Sequence, residues 1–389
     1  MFARERFGPP QIYALLLLLA FVLQAAWLSH VRPLSRVEVT YVRVGVEQLH
    51  GVFVDANVPA SAAFLAAIPG LVLREKLDKL SPDQLKWVIR LPFLTVGWFL
   101  GASIWYVSRR LYGNAGGYVA LAMYCFSPIA YFTFPNPVVT GALGAFGMVF
   151  VAIASAHTLY APPASARKGL RGVLDEINAR RRRIVLLGLA IALAAGSGYW
   201  LVFLLILAEA FMVYIVPERQ FDAVLVTLAA CVVAFFVLFA FHGFHWHMFW
   251  YSLKHGQWFP RPGPRQTGIL HAYFTGMWKT GNPGLIGLCL SALAVYSVYP
   301  RSRYFGNTAP LITGIFVTVL ALVSLSTIFA GPFPLVAMSF IFVFIGGVFA
   351  DVIESQWRVP ALVFTLFVFG IYVSSNLIEI AKTRYSVLY

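Results

Sequence analysis

Two polar stretches interrupt an otherwise strongly apolar chain of 389 residues, and the side chains able to do chemistry are concentrated in them. The first, residues 36–59 (RVEVTYVRVGVEQLHGVFVDANVP), carries Glu38, Glu47 and Asp55, three of the fifteen acidic residues in the sequence. Any reaction that needs a carboxylate is expected there. The second, residues 242–273 (HGFHWHMFWYSLKHGQWFPRPGPRQTGILHAY), offers Lys254, Arg261 and Arg265 for a phosphate. It also offers Trp246, Trp250 and Trp258 for stacking on a sugar ring. The same composition describes an aromatic belt with basic neighbours at a membrane surface, and both readings stay open. His242, His245 and His247, with His255 and His271, raise the question of a metal. Zinc wants three or four ligands converging tetrahedrally, whereas H-x-x-H-x-H fits neither a helical nor a hairpin site, and no acidic residue occurs between Asp222 and Asp351. No metal or other cofactor is expected.

These side chains have to be positioned by a chain that belongs in lipid. Hydrophobic residues make up 60% of it and charged residues 11%, against roughly 45–50% and about 25% in soluble domains. The net charge of +14 sits largely in short clusters bordering apolar runs, where it sets topology and meets anionic lipid. Nucleic acid is therefore not an expected partner. Cys125, Cys231 and Cys289 fall inside apolar runs and read as small hydrophobes, with no disulfide framework.

The expected architecture is all-α, a single polytopic membrane domain over residues 1–389 with about eleven spans. Residues 12–28 form the first span and are retained, because the run is long and lacks a convincing cleavage site. The first outward loop, residues 30–86, opens on a short amphipathic helix, since Val39, Val42, Val46 and Leu49 recur at spacings of three and four. Such a helix lies on the membrane surface, its acidic groups near the headgroups. Residues 59–73 are apolar but short of the ~20 needed to cross, and read as a re-entrant or interfacial helix. Ser81-Pro82-Asp83 reads as a helix start.

Spans at 87–107 and 116–134 are joined by the tight turn RRLYGNAGG, and a fourth covers 138–159. Residues 161–183 form a basic cytoplasmic loop, with seven Lys or Arg between Arg167 and Arg183. The next apolar run breaks at Gly196-Ser197-Gly198 into two short helices. The second of these carries Glu209, an acid within a span that is a functional candidate by default; snorkelling toward the nearby end is the plainer reading. Further spans cover 223–241, 283–299, 311–330, 334–350 and 361–373, with a second outward loop at 242–280. Short loops and the lack of organellar signals favour a bacterial inner membrane.

In this setting the first loop resembles that of GT-C fold membrane glycosyltransferases. Glu38, Thr40 and Tyr41 in VEVTY resemble the D-E-x-x-Y that opens the family's first outward loop. Residues 53–59, FVDANVP, resemble the F-D-x-H-P-P of the protein O-mannosyltransferase and aminoarabinose-transferase branch. Downstream, R-L-P at Arg90, R-R-L-x-G at Arg109 and S-P at Ser127 follow the family's habit, as does STIFAGPFPLVAMSFIF. The pattern departs at Val37, where the family has its aspartate, at Thr140-Gly141, where it has T-D, and at Asn57 and Val58, where it has histidine and proline.

The resemblance implies transfer of a sugar, with inversion, from a polyprenyl-phosphate-sugar donor to an acceptor at the outer face. The acceptor must lose a proton as it attacks, so with Val37 in the aspartate's place the base is expected to be Glu38 or Asp55. Lys254, Arg261 and Arg265 would hold the departing lipid phosphate, with Tyr41, Asn57 and Trp258 lining the substrates. The alternative is a catalytically degenerate member that binds lipid or scaffolds other membrane subunits; a third reading is a transporter coupled through Glu209.

Overall fold

The computed structural model describes residues 8–52, 55, 58–73, 81–127, 138–160, 170–256, 269–324, 334–355 and 358–386. Every regular element among them is helical. In chain order these are α1 (Pro9–Val31), α2 (Arg36–Leu49), α3 (Ala60–Leu73), α4 (Pro82–Cys125), α5 (Val138–Tyr160) and α6 (Leu170–Ser197). A 3-10 turn (Tyr199–Phe203) leads to α7 (Leu204–Ile215), α8 (Gln220–Phe241), α9 (Trp246–His255), α10 (Ile269–Val298), α11 (Phe305–Ser324), α12 (Pro334–Ile353) and α13 (Arg358–Ser386). Five of the described helices are long and apolar enough to cross a membrane, and five shorter apolar helices accompany them. A multi-pass α-helical membrane protein follows.

Contacts divide the chain into two compact units. Unit 1 comprises 1–34, 80–135 and 262–389, and unit 2 comprises 35–79 and 136–261. In unit 1, α4 is not one rod. Gly113 adopts φ 75°, the left-handed region that glycine enters without steric cost. The Tyr124 hydroxyl donates to Gly97 O at 2.7 Å, although 27 residues of straight helix would separate the two by ~40 Å. The helix therefore doubles back at Gly113, which is the tight turn expected between two spans. Its start is the expected one too: Ser81 and Gln84 form a reciprocal capping box with Pro82 in the first turn. Arg90, buried, donates to the carbonyls of Ser29, Arg32 and Pro33, satisfying groups that the end of α1 leaves open. The nearly enclosed α12 packs along the α4 hairpin, where Gly346 leaves no room for a side chain against Gly116 O. Tyr372 and Asn376 of α13 donate to Met123 O and Phe126 O.

Unit 2 is built around α5, also mostly buried. The short α3 has Ala62, Ala63, Ala66 and Ala67 fully buried, so it is enclosed by protein. Gly45 of α2 approaches α3 so closely that a Cβ there would overlap the Ala63 carbonyl. Phe64 stacks obliquely on Phe241 of α8, centroids 5.0 Å apart. Ser61, Thr140 and Ser197 close a buried triangle of hydroxyls, 2.6 to 3.1 Å on its sides, that ties α3, α5 and α6.

Several boundaries differ from the pattern-based ones. α6 begins at Leu170 and runs unbroken through Arg180 to Arg183, so much of the basic stretch 161–183 is helix: the arginines extend the span rather than interrupt it. It ends at Ser197, and the expected break at 196–198 is present. The second loop contains α9 and ends where α10 begins at Ile269, while α13 continues to Ser386 through the segment read as a tail.

Replacing Gly45 with Ala should push α2 off α3 and cost ~1–3 kcal/mol, read as a lower thermal midpoint in detergent. Gly287→Ala in α10, where nothing lies within 4 Å, should leave the midpoint unchanged. Equal midpoints for the two variants would refute this packing.

Candidate functional site

The first polar stretch, and the second as far as Arg261, belong to unit 2, and the structure joins the end of α2 to the start of α9. α2 forms where expected, opened by a capping box in which Ser35 Oγ accepts from Glu38 N–H and the Glu38 carboxylate accepts from Ser35 N–H. It is turned about its axis relative to the amphipathic expectation. The buried face is Glu38, Val44, Gly45 and Gln48, while Val39, of the apolar stripe, is 52% exposed. The cause is Gly45: the close approach to α3 fixes which side faces protein, leaving Val39 outward and Val42, Val46 and Leu49 half-buried. Glu38 is accordingly 2% exposed rather than at the surface, and Glu47, half-buried, lies 3.9 Å from Arg43. Tyr41 is half-buried, and burial pushes its phenol up to about 12, so it remains a protonated donor at neutral pH.

The far end of α2 meets the corner between α8 and α9. Gln48 Nε2 donates to Phe241 O at 3.1 Å, and His245 Nε2 lies 3.2 Å from Leu49 O. The corner is made by two consecutive left-handed residues, Gly243 at φ 62° and Phe244 at φ 60°. A Cβ on Gly243 would press on Leu49 O at 2.7 Å. Phe244 is an aromatic residue in a region such residues rarely occupy, the kind of strain that surrounding contacts must hold in place.

That corner aims α9. Phe249, buried, packs on Phe235, Phe239 and His242, and Ser252 bonds Tyr199 at 2.9 Å. The outward face then presents Trp246, Trp250 and Lys254 at intervals of four, one stripe along the helix. Trp246 and Trp250 stack nearly parallel, 6.1 Å between centroids, and Lys254 is exposed in the last turn. Two flat rings followed by a cation suit a sugar phosphate.

Asp55, half-buried, follows the α2 end by a few residues, and its carbonyl accepts from Val58 N–H. Glu38 lies eleven residues back along α2, ~16 Å from Leu49. Of the two expected bases, Asp55 is thus the one near the corner in the chain. Asn57, Trp258, Arg261 and Arg265 lie outside the described residues. Glu209 accepts a 2.5 Å hydrogen bond from Thr227, which ties α7 to α8. The position aligned with the family's second acid, Gly141, has Ser197 and Leu201 within 3.2 Å of where a Cβ would stand. A side chain there would require Ser197 and Leu201 to shift by a few tenths of an ångström.

His242 is fully buried with Nδ1 2.8 Å from Leu238 O, and burial holds it below its ordinary value. It is neutral at pH 7, donating from Nδ1. Among the described residues no three His, Cys, Asp or Glu side chains gather as metal ligands. Sequence patterning gave Gln48 no role and placed Thr140 and Arg90 only within motifs, not as buried polar partners. Arg90, a charge entering an apolar run, was the one of the three with a sequence signal.

No protein-family model matches the chain, and no curated protein is similar to it. Its fold is similar to that of solved structures of an archaeal oligosaccharyltransferase from Archaeoglobus fulgidus, a GT-C glycosyltransferase. Against that protein tethered to an acceptor peptide containing an NVT sequon, the TM-score is 0.53 at 13% identity, covering 94% of this chain and 55% of that one. The apo form gives 0.53 at 13% identity over 93% and 56%. The complex with an inhibitory peptide and a dolichol-phosphate gives 0.52 at 11% identity over 94% and 56%. The chain thus spans a little over half the length of that protein, and what the two share is the GT-C fold.

His242 makes a pH prediction. As pH falls through about 6.5 the unfolded histidine takes up a proton that the folded one refuses. The stability it contributes is therefore complete above about 6.5 and declines below it, with a slope of at most ~1.4 kcal/mol per pH unit. Urea unfolding between about pH 7.5 and 5.5 should show a steeper loss in the native protein than in His242→Asn; parallel losses would refute the assignment.

Proposed function

We propose that this chain is a membrane glycosyltransferase that takes a sugar from a polyprenyl-phosphate donor and places it, with inversion, on an acceptor at the outer face. The observation that carries this is the likeness of fold over 94% of the chain to an oligosaccharyltransferase, one of whose structures holds a dolichol-phosphate. The link in unit 2 between the end of α2 and the start of α9 adds local support, because the chain segment that carries Asp55 follows directly on that end.

In this reading Asp55 is the base. A base must reach the proton it removes, and the Glu38 carboxylate is buried and already engaged by the Ser35 N–H. Trp246 and Trp250 stack on the sugar, and Lys254, with Arg261 and Arg265, holds the lipid phosphate as its charge grows. Tyr41, Asn57 and Trp258 line the bound substrates. The membrane is proposed to be a bacterial inner membrane, and the branch resembled is that of the protein O-mannosyltransferases and aminoarabinose transferases.

One specific observation favours the rival, a degenerate member that serves other membrane subunits. Glu38 closes a helix cap, and position 141, a glycine, is closely flanked by Ser197 and Leu201. A transporter coupled through Glu209 has less behind it, since Thr227 already engages that carboxyl.

Transfer of radiolabelled sugar from polyprenyl-phosphate donors by purified protein tests the proposal. Asp55→Asn should lower turnover by at least ~100-fold, the usual share of a general base. Glu38→Gln preserves the capping box and should leave most of it. Equal turnover in Asp55→Asn removes that base, and no turnover by the native protein across several donors removes the enzyme and leaves the subunit.

A further inference from the structure

Unit 1 contains a cavity of about 440 Å³ that the proposed reaction does not use, lined by Tyr112, Gly113, Arg301, Tyr304, Asp351 and Glu354 among others. Its walls are the turn of α4, the 3-10 turn Pro300–Ser302 between α10 and α11, and the end of α12 with the residue after it. These are helix ends, where spans reach the membrane surface. The same turns carry Arg109, Arg110, Arg301 and Arg303, which marks the surface as cytoplasmic by the positive-inside rule.

The cavity has a mixed and unbalanced charge. Arg301 Nη2 is 3.1 Å from Glu354 Oε2, so one short contact leaves other guanidinium N–H groups to donate. Asp351 is 7% exposed, and its Oδ2 accepts from Asn307 Nδ2 at 3.1 Å. Its Oδ1 is 4.0 Å from Arg301 Nε, beyond hydrogen-bond distance. Ser302, fully buried, stands beside this carboxylate without the alignment of a hydrogen bond. A carboxylate this buried is costly unless its oxygens are satisfied. Burial and the Asp351 charge push the Tyr304 phenol well up, so it stays neutral and hydrogen-bonds without adding charge. Two carboxylates and one guanidinium leave an excess of one negative charge beside an intact anion-binding group.

We propose that this cavity binds a primary ammonium joined to a phosphate, the phosphoethanolamine group. The ammonium donates to Asp351 Oδ1, Glu354 and the Tyr304 oxygen, and the phosphate accepts from Arg301. A purely anionic headgroup would meet two carboxylates. A choline group carries no N–H to give Asp351. At about 440 Å³ the space is in the range of small-ligand pockets, and its place at the helix ends lets the group arrive on a phospholipid or free in solution.

Binding to the full chain in detergent, measured by calorimetry and native mass spectrometry with dioctanoyl phosphatidylethanolamine, -glycerol and -choline and with soluble phosphoethanolamine, tests this. Phosphatidylethanolamine should bind once per chain, with the glycerol and choline lipids about ten-fold weaker or worse, as loss of a charged hydrogen bond implies. Glu354→Gln, on an exposed side chain, and Arg301→Gln should each weaken it by about ten-fold without lowering the thermal midpoint. Soluble phosphoethanolamine binding as well as the lipid assigns the source to solution, and binding of the lipid alone assigns it to the membrane. Equal affinity for all three lipids, or unchanged affinity in both variants, overturns the proposal and leaves an ion pair that only braces the turn.

Discussion

The enclosure of α3 is the constraint on which the candidate site rests. A helix too short to cross lipid is stable at membrane depth only when protein covers it, and α3 achieves this with a run of alanines that lets its neighbours come close. Gly45 seats α2 on it, Ser61 joins it to α5 and α6 through Thr140 and Ser197, and Phe64 meets α8 at Phe241. Small residues and hydroxyls are how helices associate where no hydrophobic drive separates them from their solvent. With α3 fixed, α2 has one orientation and its far end has one place to go.

From there the site is a matter of geometry passed along the chain. The end of α2 holds the corner after α8, the corner turns at Gly243 and holds its strain in Phe244, and α9 leaves it with two stacked rings and a lysine facing outward. Unit 1 is organised by a different device. There a buried arginine, Tyr372 and Asn376 occupy carbonyls at or near helix ends, Tyr124 ties the two arms of the α4 hairpin together at Gly97, and that hairpin provides the groove in which α12 lies.

Much of this was legible in advance because membrane helices advertise themselves. The length of α3, the turn at Gly113, the break at Gly196-Ser197-Gly198 and the cap at Ser81 all follow from local chemistry, namely side-chain caps, glycine freedom and apolar run length. Where pattern reading erred, it treated charge as a stop signal. Arg180 to Arg183 sit inside α6, and the polar tail continues α13, because a helix can leave the membrane without ending.

The sequence by itself determined the class of protein, the order of its helices and the two stretches that hold its reactive side chains, since composition and local spacing set these. Only the tertiary structure decided which face of α2 is inside. The stripe of Val39, Val42, Val46 and Leu49 predicted one face, and the absent side chain at Gly45 turned the helix away from it, leaving Val39 exposed and the other three half-buried. It also decided that Glu38 engages its carboxylate in a cap and that position 141 is closely flanked by Ser197 and Leu201. It further decided that the cavity among Arg301, Asp351 and Glu354 exists at all, for its walls come from turns far apart in the chain that no local spacing could bring together.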